Sequence, residues 1–513
     1  MRSRLVYALF GVLATLVGMA TGHLIASLLN PASSPVLAVG SQVIDLTPTS
    51  LKEAAIKRFG SNDKNVLIGS VLAGVLVLSA VAGLLARRRF RYGAALLVVL
   101  VGVAAFTALN RPTAELVDVL PSLATVLAGV GALWLLDSRY SRTREVGDTG
   151  TPAPEAGAEA GPSRRGVLVS AAVLTALAAV MGGAGRVIGN YRTRLENIAF
   201  PKPADPAPAF PVGIEKDFPG VSPLRISNGD FYRVDTRLDV PIVDIEDWTL
   251  TIEGMVDKKL EFTFDDLLGM PLIERDITLT CVSNSVGGPY VGGARWIGVR
   301  LTDLLEMAGV QKGVDQIIST DVDGMTIGTP YDLAVDGRDA MIALGMNGDA
   351  LPREHGFPAR MVVPGLYGFI SACKWITKIN LTTYEDTTSY WTERDWATDA
   401  PIKISSRIDT PKVLENIDAG ETFIGGVAWA QQNGGVATVQ VQIDGGPWQD
   451  AELGPSAGND YWRQWHFPWT AEAGTHNIAS RVIDGNGNTQ TAVRAEPFPE
   501  GSSGIQTLIV KVA

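Results

Sequence analysis

Cys281 closes a strand-like run, Ile277–Thr280, and opens a glycine-rich stretch, the setting in which a thiolate can meet a metal. Gly287, Gly288, Gly292 and Gly293 follow it as a loop with little side-chain bulk, open to a large group or to turns closed to other residues. A buried structural thiol is the other reading of Cys281, and this window by itself leaves both open. What the chain excludes is clearer. It has two cysteines, Cys281 and Cys373, and four histidines, His23, His355, His466 and His476, with no Cys-x-x-Cys pair, haem-attachment motif or histidine cluster. Zinc and iron–sulfur sites built wholly from this chain are therefore not expected, nor is a haem. The formal net charge of −11 argues against a nucleic-acid partner, because phosphate backbones demand basic surface.

The elements that must position Cys281 can be followed outward from it. Arg295-Trp296 lead to a helix whose Leu301, Leu304, Leu305 and Ala308 share one face, and Gly309 is placed to end it. From Leu224 to Thr410 strand-like runs such as Trp248–Ile252 and Met361–Val363 alternate with short helices such as Phe264–Leu268, an α+β pattern. Beyond Pro411 short alternating strands come with turn signals, at Glu421–Ala430, Val436–Ile443 and His476–Ile483. That spacing fits an all-β immunoglobulin-like sandwich of about 100 residues over 411–513, with Trp462, Trp465 and Trp469 as its core and interface edge. The proline-rich segment 191–223 reads as an extended tether ahead of the 224–410 domain.

Residues 1–190 have a different texture. Five apolar runs, near Leu5–Leu29, Val66–Ala86, Tyr92–Leu109, Val117–Leu136 and Gly166–Ile188, each approach the roughly 20 residues that span a bilayer. An α-helical membrane bundle of five spans is expected, in contact with lipid. Arg2 and Arg4, the group Arg87, Arg88, Arg89 and Arg91, and Arg139, Arg142, Arg144, Arg164 and Arg165 all fall on one side, which the positive-inside rule makes cytoplasmic. The Asn30–Asn65 loop, with Lys52, Lys57, Arg58 and Lys64, then faces out, as does everything after the fifth span. The expected location is the plasma membrane of a bacterium, multi-pass, with the C-terminal part extracytoplasmic. The Pro/Gly/Ala/Glu-rich linker EVGDTGTPAPEAGAEAGPS cannot bury a core and ends at Arg164-Arg165. That pair reads either as a basic flank or as an internal twin-arginine export signal. His23 stands alone near a helix end, and the spans carry almost no ionisable side chain beyond Asp118, which disfavours a transport or quinone pathway through them.

Residues from about 220 to the end resemble the sulfite-oxidase-type molybdopterin oxidoreductases. The matching pieces are ISNGDFYRVDTRLDVPIVDIEDWTLTIEG at 226–254, TCVSN at 280–284, ARWIGVRLTDLL at 294–305, MNGDALPREHGFPARMVVPGLYG at 346–368 and Lys374-Trp375. The resemblance implies a molybdenum–molybdopterin cofactor, with Cys281 as the protein's metal ligand and Asn284 beside it in the Cys-x-x-Asn motif. It further implies a cofactor pocket supplied by Asn228, Tyr232, Arg233, His355, Arg360 and Lys374, with Asp321 near another contact. Guanidinium and ammonium groups suit the cofactor's phosphate.

The resemblance also carries departures. Ser285 follows Asn284 where sulfite-oxidising members have arginine, and Leu344 stands where they have tyrosine. Gly368-Phe369-Ile370-Ser371 precedes Lys374 where they place another basic residue. A less positive pocket is expected, suited to oxygen-atom transfer with a small neutral substrate such as a sulfoxide or N-oxide. The alternatives are a sulfite oxidase or dehydrogenase, and an inactive exported scaffold that keeps the fold. A Cys281–Cys373 disulfide is a further alternative, since exported domains allow one. A separate electron-transfer partner, a cytochrome or a quinone-linked protein, is implied, and a homodimer through the C-terminal domain is left open.

Overall fold

The computed structural model describes residues 3–48, 51, 58, 63–111, 114–148, 164–192 and 198–513. Lys52, Lys57 and most of the Pro/Gly/Ala/Glu-rich linker, residues 149–163, lie outside the described residues. The chain divides into two compact units, one of residues 1–194 with 236–242, the other of residues 195–235 with 243–513.

In the first unit five helices are long and apolar enough to cross a membrane: Arg4–Leu28, Lys64–Ala86, Phe90–Leu109, Leu116–Ser141 and Arg165–Ile188. Glycines let the first helix approach its neighbours backbone to backbone. A Cβ at Gly11 would stand 2.0 Å from the Ser79 carbonyl oxygen, and one at Gly18 would stand 2.6 Å from that of Thr125. The Tyr7 hydroxyl donates to Asp137 at 2.5 Å across the same packing. Within the stretch read as an outer loop, Pro35–Leu46 is a helix, with proline in its first turn where a missing N–H costs nothing.

The second unit is β-rich. Its strands are β1 (Thr249–Gly254), β2 (Leu260–Thr263), β3 (Leu272–Thr280), β4 (Val291–Arg300), β5 (Gln316–Asp321), β6 (Thr326–Pro330), β7 (Met341–Met346), β8 (Asp349–Ala350), β9 (Arg360–Val362) and β10 (Ile376–Thr382). One sheet runs β2-β1-β10-β5-β6 and another β3-β4-β7-β8, with β9 paired to β7. The helix Leu301–Ala308 buries Leu301, Leu304, Leu305 and Ala308, the face anticipated, and ends at Gly309 in a left-handed conformation.

After these come β11 (Ser405–Thr410), β12 (Asn416–Ile417), β13 (Gly420–Trp429), β14 (Val436–Ile443), β15 (Gln449–Asp450), β16 (Glu452–Leu453), β17 (Arg463–Ala471), β18 (Gly474–Asp484) and β19 (Gln506–Val512). They form two sheets, β11-β13-β17-β16 and β12-β19-β18-β14-β15. Ile424, Val439, Trp465, Trp469, Val482 and Val510 fill the core shared by these strands.

Three expectations are corrected. The glycine-rich stretch after Cys281 is a loop only to Tyr290, because Gly292 and Gly293 lie inside β4, paired with Leu279 and Thr278. They are small for a packing reason: a Cβ would come 3.0 Å from Phe231 at Gly292 and 2.5 Å from Tyr461 at Gly293. The two-sheet region does not start after Pro411. Ser405–Thr410 is already its first strand, paired with β13, and Pro411 follows that strand's end. The extended segment is not free along its length either. Ala204 N–H donates to Leu272 O and Glu274 N–H to Asp205 O, while Arg275 holds Asp205 and Asp339. Phe200 and Phe210 pack on the domain core, so proline-rich composition here marks chain laid along a surface. Residues 193–197 lie outside the described residues. Trp465 and Trp469 lie in the core of these two sheets, and Trp462 packs with the α+β residues and donates its indole N–H to Leu224 O at 2.7 Å.

Candidate active site

β3 delivers Cys281 to its C-terminal end, where the Cys281 N–H donates to Tyr290 O at 3.0 Å and closes the intervening loop. Asn284 braces that loop: its side-chain oxygen accepts from the Tyr290 N–H at 2.9 Å, and its carbonyl accepts from the Ser502 hydroxyl at 2.6 Å. Cys281 and Cys373 are both buried and no disulfide joins them, so the disulfide alternative is not formed. Burial pushes the Cys281 thiol up, while hydrogen bonds from Ser283 and the charge of Lys374 pull the other way. The net shift is upward, so the thiol stays protonated until a metal takes the proton's place.

Four expected residues converge through the 353–356 turn. His355 Nε2 lies 3.0 Å from Asn228 O, so the ring donates there from its Nε2–H tautomer. Arg360 Nη1 donates to His355 O at 3.0 Å, and Lys374 Nζ donates to Glu354 O at 3.2 Å. Gly356 makes this convergence feasible: at φ +112°, a Cβ would stand 3.1 Å from both Arg360 Cβ and Lys374 Cα. The Asn228 amide bonds Met346 O and takes a bond from Asn347, which fixes its loop against β7. Arg360 also lies over the Trp296 ring, 5.1 Å from its centroid, and Lys374 over Trp375 at 4.5 Å.

The electrostatics are those of a cationic pocket with too little counter-charge. Burial pushes Arg360 down to about 10 and Lys374 down to about 8, the latter opposed by Asp235. Burial, then the charges of Arg360, Lys374 and Arg233, hold His355 down to about 4, so its ring is neutral at ordinary pH. Tyr232 is pushed far up by burial and next by the Cys281 charge, which keeps its phenol protonated. Arg233 pairs with Asp235 at 2.7 Å and is partly exposed.

Asp321 is placed differently from the rest. Its carboxylate accepts from the Asp323 and Met325 N–H groups and so closes the β5–β6 turn, while the neighbouring Val322 N–H bonds Trp375 O. Tyr367 was not anticipated. It is buried, pushed up to about 12 by that burial with Lys403 opposing and the Cys281 charge adding to the rise, and it packs against Gly501.

These residues fit a molybdopterin. The buried Arg360 Nε has no hydrogen-bond partner, an orphaned donor of the kind an anionic group would satisfy. Arg360 and Lys374 both carry lowered basicity that a phosphate would reverse, and Cys281 supplies the one soft donor needed by a metal already holding sulfur.

Beside the Cys281 loop opens a cleft of about 440 Å³, lined by Tyr232, Gly287, Gly288, Arg407, Asp409 and Trp462 among others. Arg407 comes from β11, and its Nη1 donates to Gly288 O at 3.2 Å. Sequence reasoning missed the role of Arg407 and Asp409 because their partners, Gly288 and Ser222, lie far off in the chain. Their i, i+2 spacing on a strand is the signal that both side chains share one face.

A family model described as "Oxidoreductase molybdopterin binding domain" matches residues 237–391, which include Cys281, Asn284, Asp321, His355, Arg360 and Lys374. Mitochondrial sulfite oxidase of Homo sapiens is 29% identical over 337 residues, 55% of this chain and 62% of that protein. Nitrate reductase [NADH] 2 of Nicotiana tabacum is 29% identical over 317 residues, 49% of this chain and 35% of that protein. Among solved structures, the sulfane dehydrogenase SoxCD from Paracoccus pantotrophus matches with a TM-score of 0.50 and 25% identity, covering 56% of this chain and 81% of that one. The chain thus spans 62% of the length of the human relative.

Proposed function

We infer that this chain, which belongs to the sulfite-oxidase-type molybdopterin-dependent oxidoreductases, is a membrane-anchored member that reduces a small neutral substrate such as a sulfoxide or an N-oxide. When bound, the molybdenum cofactor supplies two-electron oxygen-atom transfer. The chain's residues do the rest. Cys281 would hold the metal, Arg360 and Lys374 would hold the cofactor's phosphate, and neutral His355 would keep the Asn228 loop in register through its 3.0 Å contact. The half-buried, protonated Tyr232 phenol lines the cleft within electrostatic reach of Cys281, where it could orient a substrate oxygen.

One observation supports the neutral substrate: the charged residues lining the cleft cancel, Asp230 and Asp409 against Arg407 and Lys412. A dianion entering such a cleft would lose hydration without gaining net positive charge. Ser285 and Leu344 add no cation, and Leu344 is fully buried in the core. A second reading, oxidation of a sulfur compound, draws on the names of the relatives, sulfite oxidase and sulfane dehydrogenase. Steady-state turnover of sulfite against methionine sulfoxide, dimethyl sulfoxide and trimethylamine N-oxide, with an artificial redox dye, tests both. Efficient sulfite oxidation with inert sulfoxides and N-oxides overturns the first reading.

We read the five apolar helices as spans in a bacterial plasma membrane, the second unit as extracytoplasmic, and its two-sheet module as immunoglobulin-like. Electrons would come from a separate cytochrome or quinone-linked partner. Arg164-Arg165 would act as an internal twin-arginine signal, suited to a domain that folds around its cofactor before export. Replacing both with lysine should leave the second unit protected from external protease. Unchanged accessibility would reduce the pair to a basic flank.

A further inference from the structure

Asp409 is the most tightly held acid in the cleft. Its Oδ1 accepts from Arg407 Nε at 2.6 Å and its Oδ2 from the Ser222 N–H at 2.9 Å. The two side chains are 9% and 10% exposed, so solvent does little to screen the pair. Arg407 spends its other contacts on the cleft wall, donating to Gly288 O at 3.2 Å and to the Ser222 hydroxyl at 2.8 Å. Three of the five N–H bonds of a guanidinium are thereby used, and two donors are left over. Without Asp409, such a group would be an oxyanion grip beside the loop that begins at Cys281.

We propose that Asp409 is the specificity-determining residue of this cleft, holding Arg407 neutralised so that neutral oxygen donors are admitted and sulfur or nitrogen oxyanions are turned away. The proposal rests on the reading that substrate enters beside the Cys281 loop. The remaining lining charges, Asp230 and Lys412, offset each other, so one substitution at 409 leaves the cleft with a net positive charge. Removing a single charge from a poorly screened pair changes anion affinity by about tenfold or more. Asparagine keeps the size of the side chain and an oxygen for the Arg407 Nε–H, and gives up only the acceptor of the Ser222 N–H.

The test is calorimetric titration of the full chain, cofactor loaded, with sulfate as a non-reactive dianion. Asp409→Asn should bind sulfate at least about tenfold more tightly than the natural chain, and the gain should shrink as salt rises. The double variant Arg407→Gln/Asp409→Asn should return to the natural level. Equal sulfate affinity in Asp409→Asn with an unchanged unfolding midpoint overturns the proposal, as does tight binding in the double variant. If Asp409→Asn does not fold, the natural chain decides. Sulfate binding there at about millimolar or weaker supports a neutralised Arg407, and sub-millimolar binding refutes it. Because this is equilibrium binding, an enzyme inert to sulfoxides and N-oxides would sink the substrate reading and leave the charge assignment standing.

Discussion

Lys374 Nζ lies 2.8 Å from Asp235 Oδ2, and the same carboxylate oxygen receives Arg233 Nε at 2.7 Å. One acid thus serves two cations in a pocket that also holds Arg360, which is why burial can lower Lys374 to about 8 despite its partner. The arrangement is incomplete without a further anion. Lys374→Met should therefore cost cofactor rather than fold, since Asp235 keeps Arg233. Molybdenum and pterin per purified chain should fall about fivefold or more, with the thermal midpoint of the cofactor-free protein unchanged or raised. Full loading of Lys374→Met would remove the phosphate role assigned to this lysine.

Cys281 and Cys373 should separate cleanly. Cys281→Ser should change stability by about 1 kcal/mol or less, remove turnover, and abolish the thiolate-dependent visible absorption of the loaded protein. Cys373→Ser, replacing a thiol 2% exposed in the core, should keep that absorption. Identical spectra from the natural chain and Cys281→Ser would exclude Cys281 as a metal ligand.

The site was legible where chemistry is written into short motifs. Cys281, His355, Arg360 and Lys374 could be named because they fall in the short motifs that carry the family resemblance, and the structure brings His355, Arg360 and Lys374 together around the 353–356 turn. What could not be read were partners distant in the chain. Gly292 and Gly293 looked like loop because glycine disfavours strands, and the reason for their smallness, the rings of Phe231 and Tyr461, lies elsewhere in the sequence. Arg407 and Asp409 were unreadable for the same reason, since their meaning depends on Ser222 and Gly288. The apolar helices were legible to within a few residues because hydropathy alone defines them, whereas Pro35–Leu46 is apolar but only 12 residues long, too short to read as a span.

Gly293 offers a direct test of the packing account. A methyl group there would stand 2.5 Å from the Tyr461 ring and 2.8 Å from Trp462 Nε1, both rings being buried and hydrogen-bonded to Leu224 O. Gly293→Ala should destabilise the protein by about 1–3 kcal/mol, read from the urea midpoint. Gly229→Ala, with nothing within 4 Å of its added Cβ, should cost under about 1 kcal/mol. Equal costs at the two positions would show that the β4 glycines are not set by the aromatic contact.

His355 supplies the pH dependence. Its folded-state value is depressed to about 4, from an ordinary 6.5, mainly by burial and then by Arg360 and Lys374. The unfolded chain therefore binds more protons than the folded one between those two values. Stability from this group is fully present above the ordinary value and is lost as the pH falls through the window toward 4. The full shift corresponds to about 3 kcal/mol in cofactor-free protein, of which more than half should be gone at about pH 5. His355→Gln keeps a donor for Asn228 O without a titrating group, so its urea midpoint should fall less than that of the natural chain between about pH 7 and pH 5. Parallel curves for the two proteins would mean that acid acts elsewhere, and that the buried imidazole is not held neutral by its cationic neighbours.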